Sequence, residues 1–344
     1  MSHDTNERKL DHLRIIDADR DVDRRKGYFD DIHLSHRALP EINLADVDTR
    51  VRYLGRELSF PLLISSMTGG DHDVVRTINR NLACAAEHCR VAMGVGSQRV
   101  MFDTLGAAES FAIRPLAPNA LLFANLGAVQ LNCGYDIDHC RQVVEAVGAD
   151  ALYLHLNPLQ EAVQPEGDTN FGGLAARIGA VVAALDVPIV LKEVGSGLSP
   201  ADVELGLSQG ISHFDVAGTG GTSWSRIEHH RQREGDPGED LGILFQDWGI
   251  PTPLALRQLA PYADRISLIA SGGIRDGLDM AKAVILGARL CGMASPFLRP
   301  AMVSPEAVIA VIQRLQREFT TAMFLLGAAT VDDLRGHTEL ILPH

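Results

Sequence analysis

No two of the five cysteines (Cys84, Cys89, Cys133, Cys140, Cys291) stand in a CxxC pair, and their number is odd. This argues against a disulfide framework and for a reducing cytoplasm. Four of them lie in or beside helical patterns, where a small buried thiol is the ordinary explanation. Long apolar runs are missing too: none approaches 18 residues, so no membrane span is expected. The first 25 residues are charged and hold no apolar core, so no secretory signal is expected. Positive charge is in deficit, with 31 Lys and Arg against 44 Asp and Glu and a net charge of −13. Without a basic stripe, nucleic acid is excluded as the main partner. An anionic substrate would need local cations, so individual Arg and Lys positions carry more meaning than the total.

What is present is a large core: 46% of residues are hydrophobic and 22% charged. Length alone would suggest two domains, but α/β barrels of 344 residues are commonly one. Residues 1–60 read as a polar, irregular extension, with the charged run DADRDVDRR after ERKLDHLRII. On charge alone this is a solvated, partly mobile arm. Residues 61–344 read as the barrel. Strands are expected at Leu62–Met67, Val91–Val95, Leu121–Leu126, Ala151–Leu156, Ile189–Val194, His213–Ala217, Ile266–Ala270 and Arg289–Ala294. Most are short apolar runs without clean alternation, as suits a parallel sheet buried on both faces.

Helical patterns separate them at Val74–His88, Ala107–Leu116, Ile137–Val147, Leu174–Leu185, Pro200–Ser208, Pro253–Tyr262, Leu278–Leu286 and Pro305–Leu326. Pro200, Pro253 and Pro305 open three of these, with Ser199, Thr252 and Ser304 as N-caps. Eight strands alternating with eight helices make a (β/α)8 TIM barrel the leading architecture, ahead of a doubly wound open sheet. The longest interruption, Gly218–Trp248 after the sixth strand, reads as a functional lid or insertion that carries structure of its own.

Barrel active sites gather at the C-terminal strand ends. Here those ends read SSMTGG, GVGSQR, Asn125, HLNPLQE, LKEVGSG, AGTGGTSW, SGGIR and MAS. The stretch Ile266–Ser295 is strand, glycine turn, helix, strand. Gly272-Gly273 alone would make only a tight turn. After the seventh strand of a barrel, however, that turn is where a phosphate sits on backbone N–H groups. Lys192 lies within an apolar strand, where an unpaired ammonium is costly to bury. Pairing with Glu193 is unfavourable because adjacent strand residues face opposite ways. An anion inside the barrel mouth is therefore expected. His155 and Asn157 share one strand face, with Gln160 and Glu161 just beyond. His155 alone would more often be a satisfied core histidine. One carboxylate among amides suits Mg²⁺ held through substrate phosphates, and is too little for zinc.

These segments, together with RKLDH (Arg8–His12), HRALPEI (His36–Ile42) and SWSRIEHHR, resemble the type 2, FMN-dependent isopentenyl-diphosphate isomerases nearly end to end. Jointly they are highly specific, although MTGG or SGGIR alone would not be. The resemblance implies FMN across the barrel mouth, touching Ser66, Met67, Thr68, Ser97, Asn125, Lys192 and Thr222. Its phosphate would rest on Gly272, Gly273, Ile274, Arg275, Ala294 and Ser295. The substrate diphosphate would meet Arg8, Lys9, His12, Ser97, Gln98, Arg99, His155 and Asn157. Gln160 would serve substrate binding and proton transfer, Glu228 would be a further acid/base group, and Glu161 would hold Mg²⁺. Lys192 would favour the anionic reduced flavin.

The implied reaction interconverts isopentenyl and dimethylallyl diphosphate by protonation and deprotonation, with no net redox change. NADPH is the implied reductant, the implied location is cytoplasmic, and a homo-oligomer (tetramer or octamer) is expected. Absence of a GxGxxG strand–helix fingerprint favours FMN over a dinucleotide. Two other readings compete. A 2-hydroxy-acid oxidase on the same barrel would want a His/Arg pair for a carboxylate, where this chain has AGTGGTSW. A non-catalytic flavin- or phosphate-binding barrel would not need Lys192, Gln160 and Glu161 in one mouth.

Overall fold

The structure is a computed structural model that describes residues 11–343 except 13, 17, 25, 26, 68 and 232–239. A short antiparallel hairpin comes first, β1 (Val51–Tyr53) and β2 (Arg56–Leu58). Eight parallel strands follow: β3 (Leu62–Ile64), β4 (Ala92–Gly94), β5 (Leu122–Gly127), β6 (Ala151–Leu156), β7 (Ile189–Glu193), β8 (His213–Asp215), β9 (Ser267–Ser271) and β10 (Leu290–Met293). They close into a barrel in which β10 pairs with β3. Six fall inside a stretch expected from apolar runs, and β5 and β9 overrun theirs by one residue, Gly127 and Ser271; burial on both faces selects such runs.

The helices on the outside are α1 (Asp73–Cys89), α2 (Ile137–Val147), α3 (Pro158–Val163), α4 (Leu174–Ala184), α5 (Pro200–Ser208), α6 (Trp224–His229), α7 (Thr252–Leu259), α8 (Gly277–Ile285), α9 (Ser295–Val303) and α10 (Pro305–Leu326). The last shows how local sequence sets its bounds. Ser304 caps it by accepting from Ala307 N, and Pro305 occupies the first turn, where its missing N–H costs nothing. Gly327, at φ +71°, ends it in the left-handed conformation. Val308, Ile312, Leu315, Phe319 and Met323 form the buried stripe that packs on α1 and α8. Each such side chain contributes roughly 1.5–3 kcal/mol by leaving water.

Three expectations need correction. Ala107–Leu116 is two short 3₁₀ segments, Ala107–Phe111 and Arg114–Leu116; Pro115 removes a donor and keeps a longer α-helix from forming. Thr252 does not cap α7 but begins it, after Pro251. Its hydroxyl instead donates to the carbonyls of Ser271 and Gly272, tying α7 to the end of β9. The described part of residues 1–60 is not an irregular solvated arm, because Phe29, Ile32 and Tyr53 are buried in the core. Arg24 is buried as well, and donates to the carbonyls of Gly195, Gly221, Thr222 and Gln246.

The hairpin supports the barrel from below. Tyr53 packs on Phe123, and Phe123 stacks on Tyr153 at a centroid distance of 4.9 Å. That aromatic column runs up the barrel interior toward the C-terminal strand ends, where Tyr153 OH meets a carboxylate. The long segment after β8, Gly218–Trp248, is partly helical where it is described, containing α6 and a single turn at Leu241–Leu244.

Candidate active site

The end of β6 supplies the densest cluster. His155 Nδ1 lies 2.7 Å from Asn125 Oδ1 on β5. Asn125 Nδ2 donates to Val95 O, which fixes the amide's orientation, so Nδ1 of His155 carries the proton. Asn157 Nδ2 then bridges Gln160 Oε1 (3.2 Å) and Glu161 Oε1 (2.7 Å). Pro158 starts α3 and turns the chain so that these side chains meet. Glu161 is 6% exposed and also accepts from Gln164 Nε2 and from Asp168 N. Among the described residues no Lys, Arg or His pairs with it. A buried carboxylate holding only neutral donors is short of a cation.

Gln160 reaches the other side of the mouth, where its Nε2 donates to Glu228 Oε1 at 2.7 Å. Glu228, on α6, is fully buried. Arg231 donates to it, and His12 Nε2 lies 3.3 Å away. Burial opposes its charge, but the His12 contact, the Arg231 charge and the Gln160 bond outweigh it and hold the carboxyl at about 2. His12 in turn packs edge-on against Trp224. Arg99 pairs with Asp168 at 3.0 Å, and Asp168 also accepts from Gln130. Asp168 therefore ties a cationic side chain to the loop whose backbone holds Glu161.

Lys192 and Glu193 do face opposite ways. The Glu193 carboxylate collects the backbone N–H groups of Val194, Gly195, Ser196 and Gly197, outside the barrel. The anion expected beside Lys192 inside the barrel is supplied by the protein itself, as Asp215. Lys192 Nζ is 2.8 Å from Asp215 Oδ2 and 3.1 Å from Ser271 Oγ. Lys192 and Asp215 are register partners on β7 and β8, which points both side chains inward.

On the opposite arc two glycine loops touch. Gly272 has φ +93°, and a Cβ there would lie 2.1 Å from Gly218 O. A Cβ on Gly221 would come within 2.9 Å of Gly273 N. Only glycine lets the loops after β8 and β9 approach this closely. Among the described residues, the N–H groups of Gly273, Ile274 and Ser295 have no protein acceptor. With the start of α9 they form a concave set of donors suited to a phosphate. Arg275 shapes this cradle by donating to the carbonyls of Gly273, Gly220 and Arg24. Ser66 Oγ and Asn157 Oδ1 are further buried polar atoms in the mouth that have no partner among the described residues.

Asn125 and Lys192 lie in the C-terminal halves of β5 and β7, and Ser66, Met67, Ser97, Thr222, Gly272, Gly273, Ile274, Arg275, Ala294 and Ser295 follow the C-terminal ends of barrel strands. Gln98 differs from its neighbours. It is fully buried, donates to Val143 O and accepts from Asn125 N, so its amide is spent on the scaffold. Arg8, Lys9 and Thr68 lie outside the described residues. Sequence reasoning missed Asp215, Ser271, Asp168, Arg24 and Arg231. Asp215 carried a signal as an acid at the end of a barrel strand, two residues before AGTGG; Ser271 opens SGGIR and Arg231 closes SWSRIEHHR, whereas Asp168 and Arg24 carried none.

Fold and site together define a (β/α)8 barrel of the kind on which FMN enzymes are built. Residues 174–340 match the family described as FMN-dependent dehydrogenase. The flavin-binding domain of baker's yeast flavocytochrome b2 shares the fold, with a TM-score of 0.67 at 18% identity over 94% of this chain and 79% of that one. A mandelate oxidase variant does so with a TM-score of 0.61 at 18% identity, over 89% of this chain and 87% of that one. At such identities the likeness speaks for architecture alone.

Much nearer in sequence are proteins named isopentenyl-diphosphate delta-isomerase. That of Paracoccus zeaxanthinifaciens is 57% identical over 97% of this chain and 96% of its own length. That of Hydrogenovibrio crunogenus is 54% identical over 98% of both, and that of Pyrococcus furiosus 42% over 89% and 79%. The chain belongs to the isopentenyl-diphosphate delta-isomerase family.

Proposed function

We propose that this protein interconverts isopentenyl diphosphate and dimethylallyl diphosphate, moving one C=C bond by one carbon with reduced FMN and Mg²⁺ bound. The observation that carries this reading is the pairing, in one barrel mouth, of two unmet demands. The glycine cradle at Gly272–Ile274 offers N–H donors to an anion, and buried Glu161 has no cationic partner among the described residues.

The residues present fit both groups. Gly273, Ile274 and Ser295 would hold the FMN phosphate through their N–H groups, with Ser66, Ser97, Asn125 and Thr222 along the flavin. Glu161 would hold Mg²⁺ through the one carboxylate lone pair its three donors leave, the metal taking its other oxygens from the diphosphate and water. Bound in its reduced form, FMN supplies an electron-rich ring that exchanges protons and stabilises positive charge.

The chain's own groups do the rest. Arg99 binds the diphosphate in bidentate fashion, exchanging Asp168 for phosphate oxygens. His155, held by Asn125, donates to the same group from Nε2 when protonated. Arg8, Lys9 and His12 complete the cationic surround, as the arm's fold over α6 permits for His12. Gln160 carries no titrating proton at neutral pH and so orients the alkene, while ionised Glu228 takes part in moving the proton. Gln98 positions β5 rather than touching substrate. Cytoplasmic location, NADPH as reductant and assembly into a homo-oligomer complete the proposal.

The test is an assay of purified protein on isopentenyl diphosphate, omitting FMN, Mg²⁺ and reductant one at a time. Loss of dimethylallyl diphosphate formation on each omission is expected. Turnover without flavin, or oxidation of a 2-hydroxy acid in its place, would contradict the reading.

A further inference from the structure

Four consecutive strands each send one polar side chain into the barrel axis just below the mouth: Tyr153 (β6), Lys192 (β7), Asp215 (β8) and Ser271 (β9). All four meet at the Asp215 carboxylate, which is fully buried. Its Oδ2 accepts from Lys192 Nζ at 2.8 Å and from Tyr153 OH at 3.2 Å, and its Oδ1 accepts from Ser271 Oγ. Lys192 Nζ also donates to Ser271 Oγ and lies 5.7 Å from the centre of the Tyr153 ring. The ammonium therefore does not face the mouth as an isolated charge. A lone cation acts as a monopole, whereas a cation 2.8 Å from a carboxylate acts largely as a dipole, whose field falls off faster.

The arrangement matters for the flavin reading on which this step rests. A bare ammonium would hold reduced FMN as a weakly basic anion. Proton exchange works best when the basicity of the exchanging group lies near the operating pH. We propose that Asp215 is a positioning residue that attenuates the charge Lys192 presents to reduced FMN, with Ser271 and Tyr153 locking the carboxylate in place. The competing role for Asp215 is purely to keep a buried lysine protonated, and the two roles predict shifts of opposite sign. Attenuation means that removing the carboxylate charge strengthens the cation felt by the flavin. A protonation role means that removing it silences the cation, as deleting Lys192 would.

The experiment uses full-length FMN-loaded wild type, Asp215→Asn, Ser271→Ala and Lys192→Met. For each, the midpoint potential is measured anaerobically, and the ionisation of the reduced flavin is titrated by its absorbance. The melting temperature of the flavin-free form provides a structural control. The expected result is a reduced flavin in Asp215→Asn that is more acidic by roughly tenfold, with a raised potential. Ser271→Ala moves the same way by less, and Lys192→Met moves both readouts the opposite way. If Lys192→Met shifts them but Asp215→Asn and Ser271→Ala do not, the inference fails and the flavin contact of Lys192 stands. A shift of Asp215→Asn in the direction of Lys192→Met overturns attenuation in favour of the protonation role. Should no variant move either readout, the reading that puts Lys192 beside FMN fails with it. If Asp215→Asn does not fold, Ser271→Ala decides by the same signs.

Discussion

Gln160 Nε2 donates to Glu228 Oε1 at 2.7 Å, joining two segments 68 residues apart across the barrel mouth. The bond couples the segment after β6 to α6, so Gln160 is oriented by a charged acceptor rather than by its own loop. Because Glu228 also holds Arg231 and lies beside His12, replacing it disturbs the whole far wall. Glu228→Gln should lower kcat by on the order of 10²-fold, within the range for a proton-transfer group. KM should rise as well, because Gln160 and His12, both placed at the substrate, lose a charged partner. Steady-state kinetics check this, and an unaltered kcat removes Glu228 from the proton path.

The same carboxylate sets an acid limb of stability. Its folded pKa of about 2 lies below the 4.5 of an unperturbed glutamate. Between those values the unfolded chain binds more protons, so the contribution of Glu228 is fully present above about 4.5 and is lost as pH falls toward about 2. Asp279 has the opposite sign, since burial first, then the nearby Asp276 charge, pushes it up to about 6. Between 3.8 and about 6 the folded chain binds more protons, so stability falls as pH rises through that window. Urea unfolding across pH 3–7 should show Asp279→Asn flattening the second limb and Glu228→Gln the first. A slope left unchanged in either variant contradicts the assignment.

Glu161→Ala should abolish most turnover, and excess Mg²⁺ should restore only part of it. Losing a direct ligand should cost more metal affinity than the roughly 10–100-fold typical of an outer-shell partner. FMN binding should be unaffected, because Glu161 lies on α3 and the phosphate cradle follows β9 and β10. Mg²⁺ titrations of activity beside flavin fluorescence titrations separate the two effects. Full activity of the variant at low Mg²⁺ would remove the metal assignment.

Gly272→Ala tests the cradle. Its φ of +93° and the 2.1 Å approach of Gly218 O leave no room for a methyl group. Backbone strain alone costs about 1–3 kcal/mol, and the two loops must also part. Flavin affinity should fall sharply and the flavin-free melting temperature modestly. Retention of wild-type FMN affinity would mean that the phosphate sits elsewhere.

The barrel was legible because eight short apolar runs alternate with helical patterns, and that pattern follows from burying a parallel sheet on both faces. The helix starts at Ser199 and Ser304 were legible from local chemistry, a capping serine followed by proline. What escaped depended on long-range pairing. The partner of Lys192 lies 23 residues away, and only the β7–β8 register brings it alongside. Arg24 reads as one more charge in DADRDVDRR, yet its donors meet carbonyls up to 222 residues away. Thr252 looked like a cap because Pro253 follows it, and no local rule shows that its hydroxyl serves the turn after β9.

The central claim is an isomerisation in which flavin is required but not consumed. The most direct measurement reduces the FMN-loaded enzyme once, anaerobically, then adds excess isopentenyl diphosphate in D₂O with Mg²⁺ and no further reductant. Flavin absorbance and product are followed together. The account predicts many turnovers per reduction, an unchanged reduced-flavin spectrum and solvent deuterium in the dimethylallyl product. Reoxidation of flavin one for one with product, without deuterium incorporation, would contradict it.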